Sequence, residues 1–320
     1  MSPNQTLVHL FARLMPALDG MLASSAPDFV LVQGDTTSAL CAALCAFLRN
    51  VPVGHVEAGL RTHLRREPFP EELNRKLTAD VANIHFAPTQ EARANLLAEG
   101  IAEDAIFVTG NTAIDAVGLA AATARIHNAL PLVVQNRLSP WQRMVLITAH
   151  RRESFGAPMG EICGAVSDLA GSFPDVLFVF PAHLNPNVKG PVSAALGDRP
   201  NVVICEPQGY LQFVALMDRA HLILTDSGGV QEEAPSLRKP VLILRDRTER
   251  PEVVTVGAAR LVGTSRQIIV TEATRLIRSE SARNSMMVEH NPCGDGQAAD
   301  RIAQVTLAFL DQRMPIPVLS

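Results

Sequence analysis

Apolar runs of four to eight residues recur along the chain, and most are followed by stretches with helical spacing. DFVLVQGDTT reads as a strand, and TSALCAALCAFLRN as a helix capped by Thr36 or Thr37. VPVGHVEAG is a second strand. PEELNRKLTADVA is helical, with Pro70 suited to its first turn. NIHFAPT and AIFVTGNT are further strands. After a less regular stretch, about 124–141, the alternation resumes. RMVLITAH, DVLFVFPAH, NVVICEP, LILTDSGG and PVLILRD are strands separated by helical segments. Several are apolar throughout instead of alternating, which suits parallel strands covered on both faces. The pattern predicts an α/β architecture twice over. GQAADRIAQVTLAFLDQR reads as a closing amphipathic helix.

One feature departs from the doubly wound pattern. The first half opens with a helix, TLVHLFARLMPALDGML, where such domains begin with a strand. It carries only about four strands against a usual five to six. Either a first half-unit is missing or this domain is unusually small.

At 320 residues the chain is too long for one ordinary core, so two domains are expected. Apolar residues make up 47% and aromatics only 4%, so the cores are built from Val, Leu, Ile and Ala. The net charge is −4 with no long basic run, which argues against nucleic acid as a partner. No apolar stretch is long enough to span a bilayer. MSPNQT lacks the charged-then-apolar pattern of a signal peptide, so the Asn4-Gln5-Thr6 sequon carries no weight. The five cysteines include no Cys-x-x-Cys pair, and Cys41 and Cys45 sit four apart on an apolar helix as small buried thiols. These features predict a reducing, cytoplasmic location. There is no metal-ligand spacing among His and Cys and no Walker-type loop.

The candidate chemistry lies at strand ends. Ser227-Gly228-Gly229 closes one strand and opens a helix, where outward N–H groups and the helix dipole favour a diphosphate. Glu232 or Glu233, one turn in, is placed to accept from ribose hydroxyls. A plain glycine turn with acids complementing the dipole explains the same residues equally well. Asp35, after a strand, reads as a carboxylate facing a cleft or as part of a helix cap. Glu57 lies among Val, Ala, Gly and Leu, where a carboxylate needs a partner such as Arg61. Glu71 and Glu72 fit simple first-turn acids. His150 and Arg151 follow another strand, His183 the next, and Arg245, Arg247 and Arg250 crowd the end of PVLILRD. Four strand ends of the second half thus carry His, Arg or Gly-Gly, and their convergence predicts binding of a nucleotide diphosphate.

These stretches resemble the non-hydrolysing UDP-N-acetylglucosamine 2-epimerases. The resemblance rests on QGDTTSAL, GHVEAGLRT, PFPEELNR, FVTGNTAIDA, ITAHRRESFG, PAHLNPNV, LTDSGGVQEEAPSLRKPVLILRDRTERPE and HNPCGDGQA. It implies two Rossmann-like domains of the glycosyltransferase-B type facing across a cleft. The first would be 1–126 and the second 127–320, with a final helix at about 297–313 crossing back to the first. It implies interconversion of UDP-N-acetylglucosamine and UDP-N-acetylmannosamine without NAD or any other cofactor, by elimination and re-addition of UDP. By resemblance, Asp35, Glu57 and Glu71 are the acid/base carboxylates and His150 assists at the leaving diphosphate. Ser227, Gly228 and Gly229 would hold the diphosphate, with Arg250 near the phosphates. Glu233 would hold the ribose, and the main chain near Phe213 the uracil. The family also implies a homodimer and an effector site for UDP-N-acetylglucosamine, to which Arg151 and His183 would belong. Its usual N-terminal strand, Gly-Thr-Arg-Pro-Glu-like loop and helix are not found before the point matching Met1. The alternative reading is a UDP-sugar-binding chain without turnover, because that loop contacts the nucleotide. A transferase or a hydrolysing epimerase on the same fold is a third.

Overall fold

The computed structural model describes residues 6–138, 143–182 and 185–311. The chain divides into two compact units: Met1–Thr112 with Cys293–Ser320, and Ala113–Pro292.

The first unit runs α1 (Leu7–Ser25), β1 (Val30–Gln33), α2 (Thr37–Leu48), β2 (Val53–Val56), α3 (Glu71–Val81), β3 (Ile84–Ala87), α4 (Gln90–Ala98) and β4 (Ile106–Val108). Its four strands pair in parallel in the order β1-β2-β3-β4. Thr36 caps α2, its hydroxyl accepting from the Ala39 N–H at 3.2 Å. Val56, Ile84, Phe86 and Phe107 form one face of the sheet's packing. Against that face lies α14 (Ala298–Asp311), through Ile302 and Val305, with Phe309 edge-on to Phe29. The Asn111 N–H donates to the Cys293 carbonyl, which pins the returning segment.

The second unit runs α5 (Thr112–Ile126), α6 (Leu132–Gln135), β5 (Arg143–Thr148), α7 (Ala157–Ser172), β6 (Val176–Pro181), α8 (Pro186–Leu196), β7 (Val202–Cys205), α9 (Tyr210–Arg219), β8 (Leu222–Thr225), α10 (Gly228–Ser236), β9 (Val241–Ile243), α11 (Pro251–Thr255), β10 (Ala259–Leu261), α12 (Arg266–Arg278) and α13 (Glu280–Asn284). The sequence-based boundary after residue 126 coincides with the end of α5, whereas the division of the structure falls at its start.

Six parallel strands pair in the order β10-β9-β8-β5-β6-β7. Read from β7, this is the 3-2-1-4-5-6 order of a doubly wound dinucleotide-binding sheet. β5, β6 and β8 are buried along almost their whole length, as their unbroken apolar runs predict. β10 escaped the sequence reading because only Ala259 of its three residues is buried. The order reverses between β5 and β8, and a ligand crevice opens beyond the carboxyl ends at such a point.

Candidate functional site

In the first unit the candidate carboxylates gather at the ends of β1 and β2. Gly34 turns the chain out of β1 with φ +72°, a conformation that costs glycine nothing. The His55 ring Nε2–H donates to the Gly34 carbonyl at 2.9 Å, and the Gly34 N–H donates to the Val56 carbonyl. Glu57 leaves β2 with φ +67°, unusual for a residue bearing a side chain. Its Oε2 lies 3.5 Å from where a Cβ on Gly34 would stand, so Glu57 lies over the turn that carries Asp35.

The Asp35 side chain is 27% exposed and bound by Arg75, while the cap of α2 is Thr36. Arg75 Nη2 lies 2.6 Å from Asp35 Oδ2, and Nε donates to the same oxygen at 2.9 Å. On its other side Arg75 Nη1 donates to Glu72 Oε2 at 2.8 Å. Glu72, which nothing local raised above a first-turn acid, is fully buried. It also accepts from the backbone N–H groups of Thr62 and His63, each at 3.1 Å. Glu72 and Arg75 therefore tie the Asp35 turn and the loop after β2 to α3. Glu71, one residue earlier, opens that helix and is partly exposed. Arg61 does not pair with Glu57. It forks onto Glu99, just past α4, at 2.7 Å, and Lys76 shares that carboxylate. The ion pair foreseen for Arg61 exists, with a different partner.

In the second unit the switch point is built around Asp226. The Thr148 and Thr225 hydroxyls share a 2.6 Å hydrogen bond at the ends of β5 and β8, and the Asp226 N–H donates to the Thr148 carbonyl. The Asp226 side chain is fully buried. Its Oδ2 accepts from the His150 N–H at 2.8 Å, the Arg151 N–H at 2.9 Å and the Ser154 hydroxyl at 2.9 Å. The loop after β5 is thus wrapped around a carboxylate from β8. The His150 ring stays half exposed, with Nδ1 3.6 Å from Asp226 Oδ1.

Ser227 precedes α10 as its cap residue, and Gly228 and Gly229 are its first helical residues. The Ser227 N–H is committed to the Thr225 hydroxyl at 2.9 Å, so the N–H groups offered by the helix start are those beyond it. A Cβ on Gly228 would stand 3.0 Å from the Arg250 guanidinium and 3.4 Å from Arg151 Nη2. At Gly229 nothing lies within 4 Å. Two guanidiniums therefore flank the positive end of α10.

Both are held by acids. Arg250 Nε bonds Glu232 Oε1 at 2.6 Å, and Arg250 Nη1 lies 2.8 Å from Glu249 Oε1. Glu249 also takes Arg245 at 2.8 Å and Arg151 at 3.5 Å. Burial alone would push the Glu249 carboxyl up; Arg250, Arg245 and Arg151 together outweigh it and hold it at about 2. Glu232 is thus occupied by Arg250, and of the two acids named for a ribose Glu233 is the one without that ion pair. Burial, reinforced by Glu232, pushes Glu233 up to about 7, and the Tyr210 hydroxyl donates to it at 3.4 Å.

The Phe213 N–H is spent inside α9 on the Gly209 carbonyl, so a base would meet the open first turn of this helix and not that N–H. A cavity of about 810 Å³ lies there, at the ends of β6 and β7, lined in part by Ala182, Ile204, Cys205, Gln208 and Gln212. His183 lies outside the described residues. The ends of β9, β8 and β5 are adjacent, so Arg250, Gly228 and His150 are brought to one edge. Sequence reasoning gave no role to Asp226, Glu249 or Arg75. Asp226 left a visible trace, a charge directly after the buried run LILT; Glu249 and Arg75 left none. Among the described residues no three His, Cys, Asp or Glu side chains are grouped to hold a metal ion, and no helix is long and apolar enough to cross a membrane.

Comparison with known proteins shows the family. The UDP-N-acetylglucosamine 2-epimerase family model matches residues 1–307. The chain is 50% identical over 307 residues to the UDP-N-acetylglucosamine 2-epimerase of Escherichia coli strain K12, covering 95% of this chain and 82% of that one. A crystal structure of the Neisseria meningitidis UDP-GlcNAc 2-epimerase bound to UDP-GlcNAc superposes with a TM-score of 0.91 at 45% identity, over 96% of this chain and 83% of the other. The Methanocaldococcus jannaschii enzyme in complex with UDP-GlcNAc and UDP superposes at 0.79 with 35% identity, over 95% and 82%. With a family model spanning nearly its whole length and a six-stranded sheet in doubly wound order, the chain belongs to the UDP-N-acetylglucosamine 2-epimerase family.

Proposed function

We propose that the chain interconverts UDP-N-acetylglucosamine and UDP-N-acetylmannosamine. The carrying observation is the glycine-opened start of α10 at the β5/β8 switch point, flanked by Arg151, Arg250 and His150. Open N–H groups, a helix dipole and two guanidiniums favour a nucleoside diphosphate there. The ribose hydroxyls donate to Glu233, and the uracil takes the first turn of α9 beside the cavity.

The chemistry then needs bases near carbon-2 of the sugar. One carboxylate of the group Asp35, Glu57 and Glu71 removes the carbon-2 proton. The electron pair of that bond forms the carbon-1–carbon-2 double bond. The carbon-1–oxygen bond breaks, its pair leaves on the diphosphate, and His150 supplies the proton that offsets the charge. Re-addition runs these steps backward with carbon-2 protonated from the opposite face. Each proton-transfer group contributes about 10²–10⁴-fold. Support for the carboxylate roles comes from the placement of Asp35 and Glu57 at one turn, which Arg75 holds and Glu72 braces.

Turnover in deuterium oxide, followed by proton NMR, tests the reading. Deuterium must accumulate at carbon-2 of both sugars. Interconversion that keeps the substrate's own hydrogen at carbon-2 overturns it.

A further inference from the structure

Asp226 carries two oxygens with opposite circumstances. Oδ2 is saturated by two backbone N–H groups and one hydroxyl, while Oδ1 is buried with no hydrogen-bond donor. A fully buried carboxylate oxygen without a donor is costly, because it has given up its water and gained nothing in return. The half-exposed ring of His150 is placed to relieve it: its Nδ1 lies 3.6 Å away, a few tenths of an ångström beyond a hydrogen bond. The same loop whose backbone is clamped to Oδ2 carries that ring, so its root is fixed and only its side-chain torsions need to adjust.

We infer that Asp226 is a positioning residue: its Oδ1 takes the Nδ1–H of His150, fixes that tautomer, and leaves Nε2 as the atom presented to the leaving diphosphate. The inference rests on the proposed epimerisation for its catalytic consequence, but not for the tautomer itself. An imidazole free in water populates both neutral tautomers, and a buried carboxylate on one nitrogen selects between them. No net proton is consumed. As the acid, His150 is the imidazolium: its Nε2 proton passes to the departing diphosphate, the Nδ1 proton stays against Asp226, and the neutral Nδ1–H ring that remains takes a proton back at Nε2 on re-addition.

The arrangement makes an unusual demand on the isosteric variant Asp226→Asn. Three donors converge on the Oδ2 position, so the amide oxygen must sit there. The amide NH₂ is then left facing His150, as a donor where an acceptor stood. The variant should therefore invert the tautomer to Nε2–H while keeping the loop in place.

Nitrogen-15 NMR of the imidazoles in alkaline buffer reads this directly, with His150 assigned by its loss in His150→Gln. The wild-type protein should show His150 as the Nδ1–H tautomer, Asp226→Asn as Nε2–H, and Ser154→Ala, which removes only one Oδ2 donor, as Nδ1–H again. In the epimerase assay Asp226→Asn should lower kcat by about 10²–10³-fold with KM within about threefold. A wild-type ring that is Nε2–H or an even mixture overturns the inference without any variant, and so decides it if Asp226→Asn does not fold. An inverted tautomer with unchanged kcat overturns the positioning role. If no variant and no wild-type sample turns over UDP-N-acetylglucosamine, the proposed reaction fails, and the spectra still judge the pairing.

Discussion

His55 and His85 stand opposite each other in register on β2 and β3, both essentially unexposed. The Nδ1 of each is buried with no hydrogen-bond partner, and only His55 makes a bond through Nε2, to the Gly34 carbonyl. Burial, with Arg61 adding to it, pushes both imidazoles down to about 4 from 6.5. Below pH 6.5 the unfolded chain takes up two protons that the folded sheet refuses, so stability falls as pH drops and the loss is complete near pH 4. At pH 5 each ring has lost about 1.5 of its 2.5 pH units, or about 2 kcal/mol at 1.36 kcal/mol per unit, so the pair costs about 4 kcal/mol. That is a large share of the roughly 5–15 kcal/mol that holds a typical domain folded. Urea unfolding followed by circular dichroism at pH 7 and pH 5 measures it. The variant His55→Gln/His85→Gln keeps polar groups of similar reach but cannot titrate. It should lose about 4 kcal/mol less than the wild type between the two pH values, and each single variant about 2 kcal/mol less. All other acids titrate alike in these proteins, so they cancel in the comparison. Equal losses in the wild type and the double variant would refute the reasoning.

Three further outcomes are expected. Glu72→Ala removes the acceptor of two backbone N–H groups and of Arg75, and should destabilise the first unit by about 3–5 kcal/mol in urea melts at neutral pH. Gly229→Ala meets no neighbour, so stability should change by less than about 1 kcal/mol, whereas a methyl over the diphosphate position should weaken UDP binding at least about tenfold by calorimetry. Unchanged affinity would remove the diphosphate from α10. Glu233, raised to about 7, is ionised only in part at neutral pH, so UDP affinity should rise from pH 6 to pH 8 and Glu233→Gln should abolish that rise.

The strands were legible because β5, β6 and β8 are buried on both faces and leave unbroken apolar runs. β10 was not, since two of its three residues are exposed. The glycines of α10 were legible because approach to a helix start needs bare backbone. What escaped was pairing across long sequence distance. Nothing in GHVEAGLRT tells that Arg61 reaches Glu99, thirty-eight residues on, and not Glu57 four before it. Glu71 and Glu72 are the same residue type side by side, and only the wrap of the chain around α3 buries one and leaves the other partly exposed. Glu232 and Glu233 are separated the same way, by which of the two meets Arg250.

The left-handed backbone at Glu57 has a consequence for how this protein can vary. A side chain at φ +67° carries a penalty of about 1–2 kcal/mol that glycine would escape. Selection for robustness alone would drive this site toward glycine or asparagine. Under the proposed reaction the carboxylate is what this backbone cost serves, so Glu57→Gln, which keeps the side chain's length at the same φ, should lose turnover while remaining folded.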